Sequence, residues 1–168
     1  MDLYSVIRRN LYCCYMMEKM VTDVFDKYAD VMKHRSIYIS TVLNAIALES
    51  KKHAELLGFL AKQFDLFEET DCAQFVGEPW VKTQRVLDRL SLGEEMDLKS
   101  FLETQIWIEG AIGEETYHKI LLPLLIKCIN VNCLKEETAK TLEVILRKIV
   151  KDEKWHEEVL MKLAEHKF

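Results

Sequence analysis

Apolar residues recur every third or fourth position through four long stretches of the chain, the spacing that lines one face of a helix. The first stretch runs from about Leu3 to Met32, with Tyr4, Ile7, Leu11, Cys14, Val21, Phe25, Tyr28 and Met32 in register. The second covers about Ser36 to Phe67, with Ile39, Val42, Ile46, Leu56 and Leu60. The third covers about Leu98 to Ile129, with Phe101, Ile108, Ile112, Leu122, Leu125 and Ile129. The fourth covers about Lys135 to Lys167, with Leu142, Leu146, Ile149, Leu160 and Leu163. At 1.5 Å of rise per residue each helix is roughly 45 Å long. Rods of matched length, each with one apolar stripe, bury those stripes by packing side by side. The pattern therefore predicts an all-α chain, a four-helix bundle forming one domain over residues 1–168.

The connections refine this picture. Short links near Lys33–Arg35 and Asn130–Leu134 predict antiparallel neighbours within each half of the chain. The middle connection, about residues 68–97, is too long for a turn. Pro79 suits the first turn of a short helix reaching about Leu90. A link of this length can travel the bundle from end to end, so that the third long helix runs parallel to the second.

Composition agrees and removes several classes of function. The chain has 5 glycines and 2 prolines in 168 residues, too few for the many tight turns of a sandwich or barrel. A net charge of -5 without a basic patch speaks against nucleic acid. The longest apolar run, Ile120–Ile126, is interrupted by Pro123 and is too short to span a bilayer. The first residues show no secretory pattern, so the expected setting is the cytoplasm, away from membranes. The five cysteines (Cys13, Cys14, Cys72, Cys128 and Cys133) fit neither a zinc motif nor a secreted disulfide framework. Cys14 lies on an apolar face and reads as a small core residue.

Charged residues interrupt every stripe near mid-helix. Glu18 takes the missing position between Cys14 and Val21. Glu49 and His53 stand between Ile46 and Leu56, Glu115 and His118 between Ile112 and Leu122, and Glu153 and His156 between Ile149 and Leu160. A lone buried carboxylate costs several kcal/mol unless it is paired or bound to a cation. Converging carboxylates also repel one another. Divalent cations resolve both problems, with imidazole nitrogens completing the shell. A polar, salt-bridged core is the alternative. In the third helix the acid is open between Glu114 and Glu115, with Glu109 more distant, and Glu115 is favoured because it shares the stripe of Ile108 and Ile112.

These residues resemble the ferritin-like superfamily, whose sites take a Glu from each of two helices and Glu-x-x-His from each of the other two. The rubrerythrin-like branch is the most similar: Glu18 is followed by Val21, Phe25 and Ala29, and "KDEKWHEEVL" resembles that branch's fourth helix. The resemblance implies a di-iron carboxylate site with Glu18, Glu49, Glu115 and Glu153 as carboxylates and His53 and His156 as nitrogen ligands. His118 falls where rubrerythrins carry an additional ligand. Iron is implied, although the same donors could hold manganese or zinc. The implied oxidoreductase chemistry is reduction of dioxygen or hydrogen peroxide with Fe(II) oxidation, in a homo-oligomer such as a dimer. Pairs of C-x-x-C motifs of the rubredoxin type are absent from the sequence, so electrons would come from a separate donor. Helix two departs from the pattern: three residues before His53 stands Ser50, and the acid is Glu49. An iron-storage shell and a helical interaction protein with a vestigial site are the alternative functions.

Overall fold

The computed structural model describes residues 2–165, which are helical apart from their connections. Helix α1 spans Leu3–Met32 and α2 spans Ile37–Phe64; α3 (Cys72–Val76) and α4 (Glu78–Ser91) occupy the middle connection. The third rod comprises α5 (Leu98–Gly110), a π-helical segment (Ala111–Leu121) and α6 (Leu122–Asn130); α7 (Glu136–Glu165) completes the chain. The expected end of the fourth helix, near Lys167, lies outside the described residues.

Side-chain caps start the helices where the sequence supplies them. The Asp2 carboxylate accepts from the Ser5 amide at 2.7 Å, and Asp97 accepts from the Ser100 amide at 3.0 Å. Each removes one unpaired donor from a first turn. The stripes then decide packing. Ile7, Leu11, Phe25, Tyr28, Leu43, Ile46, Phe101, Ile108, Leu142 and Ile149 are all buried in one continuous cluster. Leu57 takes the inward place in α2, and Leu56 is only half-buried.

Contacts at the helix ends fix the directions. Ser40 Oγ donates to the Ala29 carbonyl at 2.9 Å, and at the other end Arg8 pairs with Asp65 at 3.3 Å, so α1 and α2 are antiparallel. Tyr28, near the end of α1, stacks on Phe101 with 3.7 Å between ring centroids and donates to the Met96 carbonyl at 2.9 Å. Thus α5 begins at the end where α2 begins, and the two run the same way. The connection traverses the full length, as its size requires. Its Leu66, Cys72, Thr83, Val86 and Met96 are buried on the way.

Four cysteines that sequence spacing leaves unassigned are paired. Cys13 of α1 bonds Cys72 of α3, with 5.4 Å between Cα atoms, and Cys128 bonds Cys133 across the turn into α7, with 5.1 Å. The first bridge closes a sequence separation of 59 residues, which in a chain-entropy account stabilises the fold by about 4 kcal/mol. Cys14 is the free, buried cysteine among the described residues, as its stripe position requires. No helix among the described residues is long and apolar enough to cross a membrane.

Candidate metal centre

Glu18, His53, Glu109, Glu153 and His156 meet at mid-height between the rods, each at most 2% exposed. They form two triads that share one carboxylate. Glu18, His53 and Glu153 bring ligand atoms within 4.8 Å of one another, and so do Glu109, Glu153 and His156. His53 Nδ1 lies 3.5 Å from Glu18 Oε2 and 3.3 Å from Glu153 Oε1. His156 Nδ1 lies 3.1 Å from Glu109 Oε2 and 3.4 Å from the same Glu153 Oε1. Helices α1, α2, α5 and α7 each contribute at least one of the five residues.

The outward nitrogens are held as well. His53 Nε2 meets Asp152 Oδ2 at 3.0 Å, and His156 Nε2 meets Glu49 Oε2 at 3.1 Å. The two helices are mirrored in sequence: Glu49-Ser50-Lys51-Lys52-His53 on α2 matches Asp152-Glu153-Lys154-Trp155-His156 on α7. In each, the acid four residues before the histidine reaches across to the histidine of the other helix. Glu49 therefore sits on the far side of an imidazole, outside both triads, and is one-third exposed. A displacement of one residue along α2 turns it about 100° from the inward direction. Its role in this geometry is to orient His156 and fix which nitrogen faces inward, the usual office of a carboxylate behind a metal-bound histidine.

Corrections are needed on the third rod. Glu115 and His118 are exposed, and Glu114 with them; Glu109, 1% exposed, is the acid that enters the cluster. The cause is the π segment. Its i→i+5 pattern puts more residues in each turn, so the inward positions fall at Ile112, Tyr117 and Leu121 rather than on an unbroken α spacing. Residues projected inward from Ile108 by α-helical counting rotate out to solvent. Pro123 follows directly, and with no N–H it cannot bond the carbonyl four residues back. The signal for Glu109 was the four-residue ladder Phe101, Gln105, Glu109 and Gly113, all of them buried.

Gly113 belongs to the site through its size. A Cβ there would come within 2.6 Å of Glu153 Cβ, so α7 reaches this depth only because position 113 has no side chain. Gly113→Ala should push α7 away, destabilise the fold by about 1–3 kcal/mol and loosen the shared carboxylate. Thermal denaturation beside metal titration checks this; a variant matching the parent in both would show that the helices do not approach so closely.

Electrostatics in the metal-free protein follow from the crowding. Burial would lower the His53 pKa, but the carboxylates of Glu153 and Glu18 beside Nδ1 outweigh it and raise it to about 10. His156 rises to about 11 against the same burial cost, through Glu109 and Glu153. Burial would raise Glu153, yet the two imidazoles hold it well below the usual carboxylate range. Burial and the charge of Glu153 push Glu109 up to about 8, and they raise Glu18 too. Tyr117, on the π segment, donates to Glu18 Oε1 at 2.7 Å. His53 Nδ1, Glu109 Oε1, Glu153 Oε1 and Ser50 Oγ are buried without a hydrogen bond. Buried polar atoms left unpaired in one place call for an explanation, and a site for a cation is one.

A pocket of about 300 Å³ leads to this cluster, with Glu109, Gly110, Gly113 and Glu153 lining it deeper in and Glu114, His118 and Glu157 among its outer residues. His118, expected as a ligand, thus stands by the approach to the site. No protein-family model matches the chain, and no match is found among curated proteins or solved structures.

Proposed function

We propose that this chain is a ferritin-like four-helix bundle that holds two transition-metal ions, iron first among them, and acts on dioxygen or hydrogen peroxide. The observation that carries the reading is the pair of buried triads sharing Glu153. Glu18 and His53 would hold one ion, Glu109 and His156 the other, and Glu153 both. The donor set of carboxylate oxygens and imidazole nitrogens suits iron, manganese or zinc, and the unpaired atoms of His53, Glu109 and Glu153 are ligand atoms in this arrangement. Iron held there would supply the reducing power for oxygen or peroxide, and a separate donor protein would restore the electrons.

The chain's own residues do the rest. Asp152 and Glu49 fix the imidazoles so that Nδ1 faces inward. Tyr117 holds one oxygen of Glu18 and leaves the other turned to His53. The buried side chains of Cys14, Ile46, Ile112 and Ile149 surround the rods' contact and keep bulk water out. The pocket beside Gly110 and Gly113 gives a small oxidant access at Glu109 and Glu153.

A second reading has its own support. Each imidazole has carboxylates on both nitrogens, so the cluster can compensate its charges as an ion-paired core without metal. Metal analysis after loading with Fe(II), Mn(II) and Zn(II) separates the two. About two ions per chain are expected, whereas none with any of the three metals leaves the ion-paired core standing. Light scattering on the iron-loaded protein distinguishes a small oligomer from a storage shell.

A further inference from the structure

Ser50 is fully buried, on the cluster's face of α2, and its hydroxyl makes no hydrogen bond. The mirrored segments of α2 and α7 show what it replaces. Glu153 stands three residues before His156 and one after Asp152; Ser50 stands three before His53 and one after Glu49. Because each acid reaches the opposite histidine at closely equal distances, 3.0 and 3.1 Å, the two helices present their faces in the same register. Ser50 is therefore the counterpart of the shared carboxylate, facing the same pair of imidazoles from the other helix.

Two consequences follow, and both rest on the metal reading above. The first is charge. Two divalent ions bring four positive charges against the three carboxylates of Glu18, Glu109 and Glu153. The outer acids do not supply the difference, since Asp152 is paired with Lys148 and Lys52, and Glu49 with Lys52. Excess charge in a dry site is costly and favours an added anion. The second is shape. Serine carries a hydroxyl where glutamate carries one further methylene and a carboxylate, and the buried Ser50 hydroxyl is a donor without a partner.

We propose that Ser50 makes a binding place for a small external carboxylate, which would balance the charge of ions held by Glu18, Glu109 and Glu153 while the Ser50 hydroxyl donates to it. No bond is made or broken in this binding. The carboxylate is acetate-sized, matching the part by which a glutamate side chain would exceed serine at this position.

Calorimetric titration with Co(II), with acetate present or absent, tests this, and the visible cobalt spectrum gives a second readout. Acetamide, of the same shape without the charge, is the control, and benzoate reports whether a carboxylate with a larger body is admitted. In the parent protein acetate should tighten the second ion by on the order of tenfold and change the cobalt spectrum, and acetamide should do neither. Ser50→Glu brings its own carboxylate and should bind two ions without acetate, with no further gain when acetate is added. Ser50→Ala keeps the charge imbalance but loses the donor, so its response to acetate should be smaller than the parent's. Two ions bound tightly by the parent with no response to acetate would overturn this inference alone. Failure of the parent and of Ser50→Glu to bind any ion, with or without acetate, would overturn the metal reading and this inference together. An acetate response as large in Ser50→Glu as in the parent would place the anion elsewhere and also overturn it.

Discussion

Glu153→Ala is expected to remove both metal ions at once, where His53→Ala and His156→Ala each remove one. Among the described residues, Glu153 Oε1 is the carboxylate oxygen near both inward nitrogens, at 3.3 Å from His53 and 3.4 Å from His156. Its loss leaves each prospective ion with a single carboxylate and a single imidazole, too few to compete with water. Affinity at both positions should fall by about a hundredfold or more, since even outer partners of metal ligands are worth about 10–100-fold. The metal-free protein should suffer too. Two buried imidazoles would lose the charge that raises their pKa values, and breaking a buried ion pair from one side costs about 3–5 kcal/mol. Chemical denaturation of the metal-free variant measures the second effect independently of the first. Asp152→Asn gives the contrast: it touches His53 alone among the histidines, so only the ion beside Glu18 should weaken. A Glu153→Ala chain that still binds one ion at parental affinity would show that the triads do not share their central ligand.

The long-range order of the chain was legible because it depends on spacing. The stripes of α1 and α7 lie largely on buried faces, that of α2 does so except that Leu57 replaces Leu56 and Val42 is half-buried, and Glu18, His53, Glu153 and His156 stand where those stripes are interrupted. The crossover followed from length, since a connection of that size next to short links has to go somewhere. What failed was local. Counting by 3.6 residues through the third rod carried Glu115 and His118 inward, and the π segment rotates them out. Hydrophobic spacing records which residues are apolar, and Trp107 and Ile120, exposed here, blur where the period changes. The placement of Glu49 was hidden for a related reason. An acid four residues before a histidine shares its face loosely, and only the partner helix reveals that it grips His156 rather than standing beside His53. The Cys13–Cys72 disulfide was out of reach altogether, because its two residues are brought together by the crossover and not by any spacing along the chain.

Acid is expected to weaken metal binding more steeply at the Glu109–His156 position than a single protonated ligand would allow. In the metal-free protein His156 holds its second proton up to about 11, and Glu109 is protonated below about 8. Both must become proton-free at the metal-facing atom for an ion to bind, so binding below about pH 8 releases two protons from this pair. The sign follows directly: protons compete with the ion, so affinity falls as pH falls. Two protons correspond to about a hundredfold loss per pH unit, easing to about tenfold per unit once Glu109 has lost its proton above about 8. Titration calorimetry in two buffers of different ionisation enthalpy counts the protons released. Other groups of the cluster add to the count, so the comparison is made with Glu109→Gln and His156→Gln, each of which should release one proton fewer per chain at neutral pH. An unchanged count in His156→Gln would mean that this imidazole keeps its proton when metal is bound, and that it faces the ion as part of an ion pair rather than as a ligand.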